Sequence, residues 1–502
     1  MSRSAKVLVL SSGQALTALV GLASAAVLAR VFSKVDYATY RQTLLCYSFA
    51  VPFVTLGFDR ALYYFLPGET ERSRGVLVEN LIWLTAAGGI LSLFLLAGGN
   101  LLLARRFNNP SLATLLLVLV PYPILTLPTL ALPACLMARN RAEQVAGFNL
   151  GSRLLMFGAI VVPCLIWPTP FSAIVGTLLG STIAMVIGLI LMFRACTDGD
   201  WRPTLQGLRR QLGFSTPLGM SGLLGSLGSR LDQVLVSMRS SPEVFASYSI
   251  GALELPLFGI ITGSISSVVI VDYARLYREG RYREIVKLIH QVMIRTSLLL
   301  MPAMVFFLCV APDAMGLMFG RGYASSASVF RVYLLMLPMR TLSYGAILQA
   351  TGKSRHIFYQ TILALVVNAF VGWFAIGYFG AIGAAIVMVV DTYLTYIPYN
   401  VLVMRDVLQC RVRELFPWSR LLSVVAASSA GAVLLLVLNH YAEPWAPALR
   451  LGVSAALYTS VTLAIFARAG WIGSLNPVTY FNSVVGLVRP KPQPVQSGSG
   501  AN

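Results

Sequence analysis

The chain has 502 residues, of which 57% are hydrophobic and only 11% charged, where a soluble globular domain carries about 25% charged residues. With a mean hydropathy of +0.75, it has too few polar groups to cover a surface in water. This excludes a soluble enzyme, a nucleic-acid-binding domain and a disordered scaffold, and leaves lipid as the main solvent. The net charge of +19 fits basic loops that set membrane orientation better than it fits a nucleic-acid partner.

The start, MSRSAKVLVLSSGQ, is basic and then apolar, like a signal peptide. It lacks a small-x-small cleavage site followed by soluble sequence, and the apolar run continues to Ala29, so it reads as the first spanning helix. A span needs about 20 apolar residues. Such runs lie at 7–29, 42–65, 76–104, 112–137, 145–167, 171–193, 212–238, 245–271, 289–311, 325–350, 357–377, 381–402, 420–439 and 449–467. The pattern predicts an all-α polytopic membrane protein of about 14 transmembrane helices. Alternation with hairpin turns, the mark of a membrane β-barrel, does not occur. The tail after Arg489 is rich in Pro, Gln, Ser and Gly, a composition that favours disorder.

With the N-terminus placed in the cytoplasm, 24 of the 38 Lys and Arg fall in cytoplasmic segments and 9 on the far side, Arg41 among the latter. That bias predicts two cytoplasmic termini. The stretch 272–288, DYARLYREGRYREIVKL, reads as a basic amphipathic connector. It suits either the anionic inner leaflet or a solvated loop.

The chain also resembles itself. DYATY at Asp36–Tyr40 pairs with VFASY at Val244–Tyr248, and ARNR at Ala138–Arg141 pairs with GKSR at Gly352–Arg355. Both pairs sit at matching places in a six-helix block. Six is even, so the two copies share one orientation and predict two six-helix bundles around a central cavity. The expected division is 1–200, 201–410, an added helix pair at 411–470, and a cytoplasmic tail at 471–502.

Charges within spans are costly and mark function by default. They are Asp59, Arg60, Arg153, Arg230, Asp232, Glu254, Arg295, Arg340 and Asp391. The planar guanidinium of Arg60, Arg153, Arg230, Arg295 and Arg340 suits a phosphate. The carboxyl groups of Asp59, Asp232, Glu254 and Asp391 suit proton or Na⁺ exchange. For Asp59, Arg60 and Arg295, near span ends, structural pairing or snorkelling is an equal reading. Five glycines and Pro217 in the seventh span favour close approach or bending, and Pro52, Pro128, Pro256, Pro302, Pro338 and Pro398 favour kinks elsewhere. Six scattered cysteines fit small buried hydrophobes, and three scattered histidines do not form a metal site. Without a P-loop, ATP hydrolysis is not expected, nor is any cofactor.

The run Leu28–Tyr40, LARVFSKVDYATY, resembles the signature after the first helix of bacterial polysaccharide transporters: a small-Arg pair, a turn, then aromatic-small-x-Tyr. Arg230–Val236 followed by Phe245–Ser249 resembles their helix-seven Asp and following loop. Phe319–Ala324, Ala350–Lys353 and Gly380–Ala385 resemble their later turns, in family order. The resemblance is to the O-antigen/polysaccharide flippases of the multidrug/oligosaccharidyl-lipid/polysaccharide exporter superfamily. It implies alternating access in the bacterial inner membrane and a polyprenyl-diphosphate-linked oligosaccharide as cargo. Membrane lipids, a glycan polymerase and chain-length machinery are the partners it brings in.

A cation-coupled drug exporter and a peptidoglycan-precursor flippase of the same superfamily are the nearest alternatives. Five intramembrane arginines favour an anionic cargo over a cationic drug. A membrane-embedded glycan polymerase or glycosyltransferase needs a substantial external domain. Every external loop expected here is shorter than about 20 residues.

Overall fold

The computed structural model describes residues 3–253, 255–442 and 444–471. Glu254 and the tail from residue 472 lie outside the described residues. The chain is an all-α polytopic membrane protein, and no strand occurs among the described residues.

The elements run α1 (Arg3–Val31), α2 (Lys34–Thr55), α3 (Phe58–Phe65), α4 (Ser73–Phe94), α5 (Asn100–Arg106), α6 (Ser111–Val118), α7 (Tyr122–Thr126), α8 (Leu132–Ala138), α9 (Ala142–Ile166) and α10 (Pro170–Ala195). Then come α11 (Leu205–Gly228), α12 (Leu231–Arg239), α13 (Pro242–Gly251), α14 (Pro256–Arg278), α15 (Tyr282–Phe319), α16 (Ala327–Leu334) and α17 (Tyr344–Ala350). The chain continues through α18 (Ser354–Phe379), α19 (Ala381–Asp391), α20 (Ile397–Leu408), the single turn α21 (Val412–Leu415), α22 (Trp418–Tyr441) and α23 (Pro447–Arg468). Each of the fourteen apolar runs falls on one of these helices or on a broken series of them. Among the described residues eight helices are long and apolar enough to cross a bilayer, and a ninth span forms if Ser111–Val118 and Tyr122–Ala138, bent by 44°, are taken together.

The breaks have local causes. The second span, which contains Pro52, is interrupted where Leu56 (φ 46°) and Gly57 (φ 76°) turn left-handed. Pro128 and Pro338 each open a 3-10 turn. Pro302, by contrast, lies within the unbroken α15. That helix has 38 residues, about 57 Å of rise, well beyond a bilayer core. Together with α14 it absorbs most of the expected 272–288 connector: α14 runs on to Arg278, and only three residues separate the two helices.

The self-similar segments adopt like conformations. Asn140 (φ 58°) and Gly352 (φ 73°) are both left-handed. In each turn the following N–H bonds to the carbonyl five residues back, Arg141 to Leu136 and Lys353 to Leu348, both at 2.8 Å. This is the Schellman closure of a helix end. It shifts the equivalence by two residues, because Asn140 rather than Ala138 holds the place of Gly352.

The chain divides into two compact units: residues 1–260, 311–336 and 358–397, and residues 261–310, 337–357 and 398–502. In the first unit, buried Phe58, Leu62, Leu77, Leu84, Leu132 and Cys135 lie within one large apolar cluster. A carboxylate anchors its edge. Glu79 is 1% exposed and accepts from Arg72 (3.0 Å), from the Thr204 N–H (2.9 Å) and hydroxyl (2.7 Å), and from Gln211 (3.3 Å). Asn80 beside it donates to Gln211 (3.0 Å). In the second unit α22 and α23 pair at Gly431, where the Tyr458 ring and Thr462 leave no space for a side chain.

Candidate functional site

The start of α2 is set by its cap. Ser33 accepts from the Asp36 N–H at 3.1 Å, which satisfies one of the free donors of the first turn. The helix therefore begins at Lys34, and Arg41 lies seven residues, about 10 Å, along it. Arg41 is thus helical and not part of the outer loop, as its place before the apolar run suggested. Arg153 lies eleven residues, about 17 Å, into α9.

The two arginines line one cavity of about 180 Å³ within the first unit, together with Ser24, Tyr37, Tyr40 and Phe157. The Arg41 Nε and the Tyr37 hydroxyl are buried without a hydrogen-bond partner. Among the described residues no carboxylate pairs with Arg41 or Arg153. Arg230, the residue before α12, donates to the Ser48 hydroxyl at 2.9 Å and feels the charge of Arg41. Arg41 is half-buried and Arg153 is exposed at the cavity; with no carboxylate pairing either among the described residues, their guanidinium groups form a site for an anion that can take paired hydrogen bonds.

Two carboxylates of the same unit are held differently. Asp232, in the first turn of α12, accepts at one oxygen from Tyr248 (2.8 Å) and Tyr333 (2.5 Å), and the two phenols are 2.9 Å apart. Its other oxygen is buried without a partner. Asp391, the last residue of α19, accepts from Asn368 at 2.7 Å, and its Oδ1 is likewise buried without a hydrogen bond. Each is a buried carboxylate with one oxygen that accepts no hydrogen bond, a place where a proton or a small cation fits.

Asp59 and Arg60 open α3 and face each other at 3.8 Å, with the Arg60 side chain 64% exposed. A pair this open contributes little energy. Arg295 lies in α15 and Arg340 in the 3-10 turn before α17, both in the second unit. Arg340 borders a small cleft there with Thr262, Thr296 and Ser343. Glu254 lies outside the described residues. Arg41, Tyr37 and Glu79 were missed in the sequence. The Ser33-x-x-Asp36 cap was the signal for the first two, since it moves the helix start back by eight residues.

A second buried network joins α2, the turn after α5 and α12. Asn109 donates to Thr39 (2.9 Å) and Gln42 (2.6 Å), and Gln42 donates to Ser237 (2.8 Å). Nearby, Tyr37 packs edge-on against Tyr323 at 6.0 Å.

Residues 27–328 match a family described as "Polysaccharide biosynthesis protein". A capsular polysaccharide biosynthesis protein, CapF, of Staphylococcus aureus is 22% identical over 193 residues, which is 37% of this chain and 48% of that protein. The chain thus spans about half the length of this curated relative. Among solved structures, a lipid II flippase, MurJ, in an inward closed conformation superposes with a TM-score of 0.75 over 96% of this chain and all of that one, at 13% identity. An inward-facing multidrug resistance MATE transporter of the MOP superfamily covers 80% of this chain and 98% of its own at a TM-score of 0.60 and 17% identity. A MOP superfamily transporter from Pyrococcus furiosus, titled for the reverse polarity of its binding pocket, gives 0.56 at 15% identity, over 80% of this chain and 95% of its own. These likenesses show the shared fold.

Proposed function

Because the chain belongs to the polysaccharide biosynthesis protein family, we propose that it is a flippase for a polyprenyl-diphosphate-linked oligosaccharide, an O-antigen or exopolysaccharide repeat unit. It acts in the bacterial inner membrane by alternating access between two six-helix halves, residues 1–200 and 201–410, with both termini cytoplasmic. The observation that carries this reading is the Arg41–Arg153 cavity without an internal carboxylate. The diphosphate docks on these guanidinium groups, which donate paired hydrogen bonds and keep their charge at any working pH. The glycan follows through the polar path and the polyprenyl tail stays in lipid. Translocation breaks no bond, so the chain is a carrier and not an enzyme. Arg60 and Arg230 add cationic groups for the cargo in the first unit, and Arg295 and Arg340 do so in the second. Asp232 and Asp391, both buried carboxylates, couple the cycle to a proton or Na⁺ gradient, with Asp59 and Glu254 as further carboxylates of the coupling set.

A cationic drug meets two uncompensated guanidinium groups in this cavity and is repelled, which favours the lipid-linked glycan over a drug exporter. Complementation of a deletion strain tests the reading. Arg41→Gln with Arg153→Gln should abolish surface glycan at wild-type protein levels, while the Lys pair should retain part of it. Full display by the Gln pair removes this cavity from the cargo path.

A further inference from the structure

The two sulfur atoms of Cys135 and Cys196 lie 3.6 Å apart. Both residues are fully buried. Cys135 is in the last two turns of α8, and Cys196 follows the last residue of α10. Both side chains belong to the apolar cluster of the first unit, so the pair is held from both sides by packed residues. Sulfurs at this separation touch, and an S–S bond of about 2.05 Å needs them to close by about 1.5 Å.

The surroundings favour one thiol as the reactive member. Arg74 donates to the Cys196 carbonyl at 3.4 Å. Arg139 lies one turn after Cys135, donates to the Glu69 carbonyl at 2.8 Å and sits 3.8 Å from Asp198. The Cys135 thiol hydrogen bond, aided by the Arg139 guanidinium, holds the Cys196 thiol below its ordinary range. A thiol near cationic groups ionises more readily, and the thiolate is the nucleophile.

We propose that Cys135 and Cys196 form a dithiol–disulfide site that takes a small hydroperoxide as its oxidant. The Cys196 thiolate attacks one peroxide oxygen and breaks the O–O bond, giving a sulfenic acid and releasing water after one proton is taken up. The Cys135 thiol then attacks the sulfenic sulfur, the S–S bond forms, and a second water leaves with the Cys135 proton. In sum, two thiols lose two electrons and two protons, and one hydrogen peroxide becomes two waters. A thiol reductant reverses the bond by exchange. Burial admits only a small oxidant. The adjacent thiol then captures the sulfenic acid before it passes to the irreversible sulfinic state. The cross-link closes the chain between the fourth and sixth spans, so it stiffens the unit that holds the arginine cavity.

The test uses the full-length protein in detergent or nanodiscs, treated with hydrogen peroxide, alkylated after unfolding, and cut for mass spectrometry. The expected result is a Cys135–Cys196 linked fragment, two hydrogens lighter than the separate thiols and restored by dithiothreitol. The oxidised protein should unfold several degrees higher. Cys135→Ser should lose the link and instead accumulate a dimedone-trappable sulfenic acid at Cys196. Should this variant fail to fold, the wild-type fragment map decides alone. If Cys410, half-buried at the chain surface, is oxidised while Cys135 and Cys196 both remain alkylatable, the pair is only packed sulfur and the proposal falls.

Discussion

Gly57 and Gly219 meet backbone to backbone. A Cβ on Gly57 would lie 2.8 Å from the Gly219 nitrogen, and one on Gly219 would lie 2.0 Å from the Leu56 carbonyl carbon. The left-handed turn between α2 and α3 is thereby seated on the middle of α11. Gly219→Ala should destabilise the protein by about 1–3 kcal/mol through overpacking, read as a lower unfolding temperature in detergent. Gly213→Ala, on the same helix but with open space around its Cβ, should be neutral or slightly stabilising. Equal effects of the two would show that the close approach does not bear on stability.

Glu79 supports the same junction from the other end of α11, through Thr204 and Gln211. Glu79→Ala strands several donors that now meet a carboxylate, at a cost of about 2 kcal/mol or more. Glu79→Gln keeps one acceptor for Thr204 and should cost less. Unfolding temperatures of the two variants, ranked against wild type, check this order. An Ala variant as stable as wild type would deny Glu79 its anchoring part.

Much of the fold was legible because hydrophobic runs of span length are unambiguous, and the fourteen runs locate the helices, with ends up to eight residues out. What hydropathy does not carry is where a span breaks. The turn at Leu56–Gly57 comes from left-handed backbone seated on α11, and neither it nor the break at Ser229–Arg230 changes the apolar count. The same limit explains the site. Arg153 was visible as a charge inside an apolar run. Arg41 was not, because it precedes the run and only the Ser33 cap places it in the helix. Glu79 was missed because its partners, Arg72 and Thr204, are far apart in sequence and belong to connections. The pairing of ARNR with GKSR was two residues out, since composition does not reveal which residue takes the left-handed conformation.

Topology follows from the basic bias. Gly68 precedes α4 and Arg106 ends α5, with one long helical span of 34 residues at Ser73–Arg106 between them. Activity reporters fused at Gly68 and at Arg106 should report the cytoplasm and the far side respectively. Reporters that agree would overturn the count of spans in the first half.

Coupling makes a separate claim. Asp391→Asn, which keeps an acceptor for Asn368, should leave protein levels intact and abolish the response of transport to an imposed proton or Na⁺ gradient. Asp232→Asn should do the same if Tyr248 and Tyr333 still hold the side chain. Proteoliposome transport with and without each gradient reads the effect. Unchanged gradient dependence in both variants would end the coupling role and leave these carboxylates as structural acceptors.

An anionic cargo in the Arg41–Arg153 cavity is the centre of the proposed transport, and reconstituted flipping tests it most directly. Proteoliposomes containing the protein and a fluorescent polyprenyl-diphosphate-linked oligosaccharide report how much lipid reaches the opposite leaflet. Wild type should move it, and Arg41→Gln with Arg153→Gln should slow it by about tenfold or more, the loss of roughly one charge-assisted contact of 1.5–3 kcal/mol. Wild-type rates in the double variant, at equal protein content, would contradict the central claim.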